Sequence, residues 1–247
     1  MPEPKADSCL ITNFSHYLEL VETDRQLLIF LERSERKFFA GELIYARGDR
    51  TVDLFVVKSG WLFAFTILPD GRRHVVRVYT AGDIIGLPAF AYSQHALHLE
   101  ASTAGILCLF SKKALNQVFE TSPRLTALLF SLVAREEVIL SETLRAAIRM
   151  RPIARLAYFL LDLICRLRVT NSTMTTRFAL PLTQAVIGDT MGLTNVTVSR
   201  ELTAMESEGL IERFMDDIVL RDEMRMRELC DYTDRYATLD VSWFPRS

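Results

Sequence analysis

The hydrophobic period of the chain changes abruptly at Pro123, and that change limits what it can fold into. Upstream, from Phe38 to about Phe110, apolar runs are short and alternating. Glycines punctuate them: Gly41, Gly48, Gly60, Gly71 and Gly82 fall 7, 12, 11 and 11 residues apart. Between them lie Leu54 to Val57, Trp61 to Phe65 and Val75 to Tyr79. Short strands with turn signals at this interval predict an all-β sandwich or barrel. Asp70-Gly71, between two apolar segments, predicts a hairpin turn, because glycine tolerates positive φ. Ahead of this block, Tyr17 to Leu31 has apolar residues at helical spacing and predicts a short amphipathic helix.

Downstream of Pro123, Leu125, Leu132, Ile139 and Ala146 recur every seven residues and predict a helix of about 25 residues. Two partners could cover that stripe: the chain's own β domain, or a second copy across a two-fold axis. A stripe this long needs an equally long cover, so Leu125, Leu132, Ile139 and Ala146 are expected to form a dimer seam. Proline lacks an N–H and clashes with the preceding turn, so Arg149-Met150-Arg151-Pro152 ends the helix. The expected organisation is a sensor domain over 1–122, a dimerisation helix over 123–150, a third domain over 151–222 and a tail over 223–247. In the tail, Leu229, Tyr232, Tyr236, Trp243 and Phe244 predict docking onto the fold.

The third domain carries the most specific local signal. A helix from Ile153 to Arg166 buries Leu156, Phe159, Leu160, Leu163 and Ile164, and then Leu180-Pro181 leads into Leu182 to Arg200. Thr183 is an N-cap residue, Gly192 sits where a left-handed helix end is needed, and Thr194 caps a second helix. Two short helices joined by a few residues with one glycine make a helix-turn-helix. In the second helix Val198, Leu202 and Met205 share the buried face, which turns Asn195, Val196, Ser199, Arg200 and Thr203 outward. Ile211 to Phe214 and Ile218 to Leu220, around Met215-Asp216-Asp217, predict a small β wing.

That face suits the DNA major groove, which admits a helix. Arg200 can present a bidentate fork to guanine O6 and N7, worth roughly 1–3 kcal/mol of discrimination. Asn195 can pair with adenine, Val196 can meet a thymine methyl, and Ser199 completes the candidate base-reading set. Thr183, Thr194 and Thr197 are placed for phosphate contacts, which set register without reading sequence.

Composition bounds the alternatives. With 29 Lys and Arg against 31 Asp and Glu, the net charge is −2, and the balance holds on both sides of Ile148. A strongly basic nucleic-acid coat is excluded. All 13 basic residues after Ile148 are arginines, the side chain suited to bidentate contacts. The four cysteines lie 57 to 99 residues apart without a CxxC pair, so a local structural metal site is not expected. MPEPKADSCL has no secretory character, and the longest uncharged apolar run, Thr126 to Ala134, is too short to span a bilayer. The expectation is a reduced cytoplasmic protein with no membrane partner. No Ser/His/Asp order, P-loop or paired-carboxylate motif points to an enzyme.

The order of β sandwich, long helix and winged helix-turn-helix resembles the CRP/FNR family of bacterial transcription regulators, over roughly Phe38 to Leu220. The matching words are Gly41 to Tyr45 with Gly48-Asp49, Leu54 to Gly60, Asp70 to Arg73 and Ala81 to Gly86, then Gly192-Leu193-Thr194 and Thr197 to Leu202. The resemblance implies an α+β two-domain fold: an N-terminal cyclic-nucleotide-binding-like jelly roll, a dimerisation helix and a C-terminal winged helix-turn-helix. It implies a homodimer on a palindromic operator in double-stranded DNA. It also implies contact with RNA polymerase if the protein activates. The competing reading is a ligand-binding module whose winged domain docks protein.

The resemblance places an effector pocket around Gly82, Asp83, Gly86, His95 and His98. In cyclic-AMP-binding relatives a Glu-Leu pair follows the position of Gly86, and an Arg-Ser pair comes some ten residues later. Here Leu87-Pro88 follows, and Gln94 to Leu99 holds no arginine. A buried phosphate without a guanidinium is costly, so cyclic AMP is not expected. Cys9 alone cannot supply the iron–sulfur cluster of the oxygen-sensing branch. Haem stays open, with His16 and His74 as the remaining histidines. Many relatives carry glutamate at the Val196 position, so the operator should differ at that base pair. The pattern is similar to a branch common in rhizobia-like bacteria.

Overall fold

The computed structural model describes residues 8–87 and 91–245, so Pro88 lies outside the described residues. The chain divides into two compact units: Met1–Ala64, Val78–Ala134 and Thr238–Ser247 in the first, Phe65–Arg77 and Arg135–Ala237 in the second.

The first unit begins with α1 (Cys9–Ser15) and α2 (Glu22–Leu31). Residues 17–21 are not helical, so the amphipathic pattern expected from Tyr17 is helix only from Glu22. The helix start is held by Asp24, whose buried carboxylate accepts from Val21 N–H at 3.3 Å and from the Ser122 hydroxyl at 2.7 Å.

Among the described residues eight strands follow: β1 (Ser34–Phe38), β2 (Leu43–Tyr45), β3 (Asp53–Ser59), β4 (Leu62–Ile67), β5 (Arg73–Tyr79), β6 (Ile84–Ile85), β7 (His98–Ala101) and β8 (Gly105–Ser111). They form two four-stranded sheets, in the orders β1-β8-β3-β6 and β2-β7-β4-β5. Strand β8 is central to the first, antiparallel to β1 from Ser34↔Leu109 to Phe38↔Gly105 and to β3 from Asp53↔Ser111. The core draws from both sheets: Phe38, Phe55, Val57, Ile85 and Leu107 from one, Leu62, Ala64, Tyr79, Leu99 and Ala101 from the other. Removing these side chains from water is the main force holding the sandwich. Asp70-Gly71 makes the expected turn, with Gly71 at φ +83° and Leu68 N–H bonded to Arg72 C=O at 2.8 Å.

After α3 (Lys112–Thr121) comes the long helix α4 (Pro123–Arg149). The Ser122 hydroxyl accepts from Leu125 N–H at 3.2 Å and caps it. The period is as expected but the phase of the seam is not. Leu125, Leu132, Ile139 and Ala146 are all buried within the single chain, at 0, 8, 8 and 0% exposure. That stripe is buried by the chain's own side chains. A different stripe faces outward: Phe130, Val133, Leu140, Leu144 and Ile148 are 67, 48, 58, 58 and 61% exposed.

In the second unit α5 (Pro152–Thr170) starts with proline at its first position and buries Leu156, Phe159, Leu160, Leu163 and Ile164. It is followed by β9 (Arg177–Ala179), α6 (Gln184–Met191), α7 (Asn195–Ser207), β10 (Ile211–Phe214), β11 (Asp217–Leu220) and α8 (Glu223–Cys230). The wing is a three-stranded sheet, β10-β11-β9, rather than a lone hairpin. Within this unit Tyr232 and Tyr236 are buried, as expected of a docked tail, while Trp243 in the first unit is 55% exposed. No helix among the described residues is long and apolar enough to cross a membrane.

Candidate functional site

Each local signal between Leu182 and Arg200 has a structural counterpart. Thr183 accepts from Val186 N–H at 3.2 Å and caps α6. Gly192 ends α6 at φ +65°, a left-handed conformation that a Cβ would strain. Thr194 accepts from Thr197 N–H at 3.2 Å and caps α7. Gly188 is a further requirement that caps and periods do not reveal. A Cβ there would stand 2.5 Å from the Leu193 carbonyl oxygen, so only glycine lets the turn fold back on α6.

Val198, Leu202 and Met205 are buried, and they set the rotation of α7. Asn195 and Val196 are exposed at its first turn, Val196 to 76%. Ser199 is half-buried, and the Arg200 side chain is 67% exposed one residue on. The four candidate base-reading residues therefore share one outward ridge, joined by Thr203, whose hydroxyl donates to Ser199 C=O at 3.1 Å. The Thr194 and Thr197 hydroxyls lie 2.9 Å apart. One donates to the other, which leaves a single O–H of the pair for an outside acceptor; Thr183 keeps its own.

Arg213 on β10 was not foreseen. It donates its backbone N–H to Glu206 at 3.2 Å and pairs with the same carboxylate through its guanidinium. The hydrogen bonds from Arg213 hold the Glu206 carboxyl below its ordinary range. The pair ties the wing to the end of α7, and Arg213 also reaches the Thr203 hydroxyl at 3.4 Å. Seven residues and a turn separate Glu206 from Arg213, so no helical spacing could have paired them.

Of the five residues expected around the effector pocket, the structure brings two together. Gly86 and His95 line a cavity of about 80 Å³ with Tyr45, Ala64, Tyr79, Tyr92, Ala96 and Leu97. Gly82, Asp83 and His98 do not line it. Gly82 accepts from Asn13 at 2.9 Å, the Asp83 carboxylate closes a turn on Thr80 N–H at 2.8 Å, and His98 Nδ1 accepts from Arg47 N–H at 3.3 Å. His95 is 6% exposed and stacks on Tyr45 with ring centroids 3.6 Å apart. Burial lowers its pKa from the usual 6.5. Among the described residues no Lys, Arg, Asp or Glu lines the cavity. His16 lies edge-on to Tyr17, and His74 Nδ1 lies 3.2 Å from the Asp189 carbonyl oxygen. Among the described residues there is no cluster of three His, Cys, Asp or Glu side chains that could hold a metal ion.

Comparison with known proteins is consistent with both halves of this description. Residues 35–122 match the cyclic nucleotide-binding domain, and residues 154–229 match the Crp-like helix-turn-helix domain. The nitrogen fixation regulation protein FixK of Bradyrhizobium diazoefficiens is 30% identical over 192 residues, covering 78% of this chain and 80% of that protein. FixK of Rhizobium meliloti is 31% identical over 192 residues, covering 77% and 84%. Among solved structures, FixK2 from Bradyrhizobium japonicum superposes with a TM-score of 0.71 at 27% identity, covering 79% of this chain and 96% of that one. The chain belongs to the CRP/FNR family of bacterial transcription regulators, with a helix-turn-helix DNA-binding domain.

Proposed function

We propose that the protein acts in the cytoplasm as a homodimer that reads a palindromic operator, with its β domain modulating the affinity. The outward ridge of α7 carries this reading. Arg200 meets a guanine edge, Asn195 an adenine, Val196 a thymine methyl, and Ser199 the flanking position. Thr183, Thr194 and Thr197 anchor the phosphates around it. Dimerisation supplies what one ridge cannot. Two copies related by two-fold symmetry contact successive half-sites about 34 Å apart.

The exposed stripe Phe130, Val133, Leu140 and Leu144 supports the dimer, because its steps of three, seven and four residues follow a heptad seam. So much exposed apolar surface on one helix face calls for a partner. Within the second unit, Arg73 donates Nε–H to Asp189 of α6 at 2.8 Å. As an activator the bound dimer would contact RNA polymerase.

A protein-docking role for the winged domain draws on one observation: the wing tip is apolar, with Met215 fully exposed and Phe214 40% exposed. Selection of duplexes from a randomised pool by the purified protein separates the two. The DNA reading predicts enrichment of an inverted repeat with a G·C pair at matching positions in both half-sites. Absence of enrichment, or a single asymmetric site, contradicts it.

A further inference from the structure

The ion pairs of the second unit leave two cations out. Around the helix pair Arg200, Arg213, Arg221 and Arg225 each pair with a glutamate, in turn Glu201, Glu206, Glu212 and Glu208. An arginine held this way adds little to the field beyond its partner, because the two charges cancel at any distance longer than their separation. Arg149 and Arg151 differ. Both are exposed, and among the described residues neither side chain has an ion pair or a hydrogen bond. Arg149 closes α4, and Arg151 precedes α5 without capping it through its side chain. Between Glu142 and Asp162 the sequence holds Arg145, Arg149, Arg151 and Arg155 and no Asp or Glu. Arg145 is answered by Asp231, from the tail. Arg149 and Arg151 stand two residues apart with nothing to offset their repulsion.

Arg155 fixes where this pair sits. Its Nε–H donates to Met150 C=O at 2.9 Å, and its Nη1 donates to Met191 C=O at 3.3 Å. One guanidinium therefore joins the residue between Arg149 and Arg151 to the last residue of α6. A Cβ on Gly192 would lie 3.8 Å from the same Nη1. Gly192 ends α6, and Thr194 caps α7 two residues later. The junction of α4 and α5 is thus packed, within one unit, beside the turn that leads into Thr194 and Thr197.

We infer that Arg149 and Arg151 bind the phosphate backbone of double-stranded DNA, adding a sequence-independent contact beside the helix-turn-helix. The inference rests on the DNA reading proposed above and deepens it. The guanidinium fork matches phosphate oxygens, and such contacts position a protein on the duplex without reading bases. Each phosphate neutralised releases counterions, so the contact has a salt signature of its own.

The test is the affinity of the full-length protein for its selected operator and for a scrambled duplex, by fluorescence anisotropy from about 50 to 200 mM salt. With Arg149→Gln and Arg151→Gln together, the slope of log affinity against log salt should become shallower by about 0.9 per lost contact, or about 3.6 for a dimer losing two per protomer. Both duplexes should weaken alike, with base preference, dimer stoichiometry and thermal transition retained. Arg149→Lys with Arg151→Lys keeps both charges and should keep the slope. An unchanged slope in the Gln pair overturns the inference and leaves these arginines to an acidic protein surface. A changed base preference overturns it too, as does a slope lost equally in the Lys pair, which would mark a structural role. If the native protein binds neither duplex, the DNA reading itself falls and takes the inference with it.

Discussion

The Arg200 guanidinium is held by its neighbour Glu201: Nε and Nη2 both donate to the same carboxylate oxygen, at 3.0 and 2.8 Å. Glu201 is the more buried partner, with its side chain 14% exposed against 67% for Arg200. To read a guanine, Arg200 must exchange this contact for O6 and N7. An exposed pair of this kind is worth about 0–1 kcal/mol, against roughly 1–3 kcal/mol for a bidentate base contact, so the exchange favours DNA. Glu201→Gln weakens the hold and removes a negative charge near the phosphates. It should tighten operator and scrambled DNA alike by a few-fold and lower the ratio between them, as measured by fluorescence anisotropy at fixed salt. A loss of operator affinity would instead show that Glu201 positions Arg200 for reading.

Helix α4 carries one buried and one exposed apolar stripe. Leu140→Glu and Leu144→Glu lie on the outward stripe and should give a folded monomer by light scattering, with the thermal transition of the protomer retained. Leu132→Ala, buried in the chain, should leave stoichiometry unchanged and cost about 2–5 kcal/mol of stability. The reverse pattern would restore the heptad at Leu125, Leu132, Ile139 and Ala146 as the seam.

This helix also marks where sequence stops being informative. The seven-residue recurrence showed that α4 is long, but apolar residues lie on two of its faces. Which face is core depends on side chains distant in the chain, and no periodicity reports that. Thr183, Gly192 and Thr194 were legible for the opposite reason: each meets partners within five residues, so caps and turn chemistry define the helix pair locally. Strand β9 is only Arg177–Ala179, too short to show alternation, and it is strand solely through its register on β11, Phe178 against Ile218. The cavity behaved in the same way. Gly86 and His95 converge through sheet packing, while Gly82 and Asp83, adjacent in the same motif, serve turns.

The tail is structural. Tyr236 is 2% exposed, its hydroxyl donates to Asp162 at 2.9 Å, and the Arg135 guanidinium lies 4.8 Å from its ring centroid. Tyr236→Phe should cost about 1 kcal/mol in denaturant unfolding, and Tyr236→Ala about 3–5 kcal/mol. Near-zero effects for both would mean that the tail does not dock in solution.

Acid sensitivity should trace to Glu223, which bridges Arg168 at 2.8 Å and Arg227 at 2.7 Å. Hydrogen bonding to Arg168 first, and to Arg227, holds its pKa below the ordinary 4.5. A depressed carboxylate pKa stabilises the fold above the ordinary value, and the contribution disappears as pH falls through the folded one. The stability gap between the native protein and Glu223→Gln should therefore be constant near neutrality and shrink below about pH 4.5. A gap that is constant down to acid unfolding would remove the ion pairs as its source.

The most direct test of the reading head is the affinity of Arg200→Ala for the operator recovered by selection, measured beside native protein at the same salt, with the dimer verified by light scattering. The variant should remain a folded dimer, lose roughly 1–3 kcal/mol per half-site, and lose discrimination only at the G·C pair that Arg200 contacts. Unchanged affinity and unchanged base preference in an intact dimer would contradict the assignment of α7 as the helix that reads DNA.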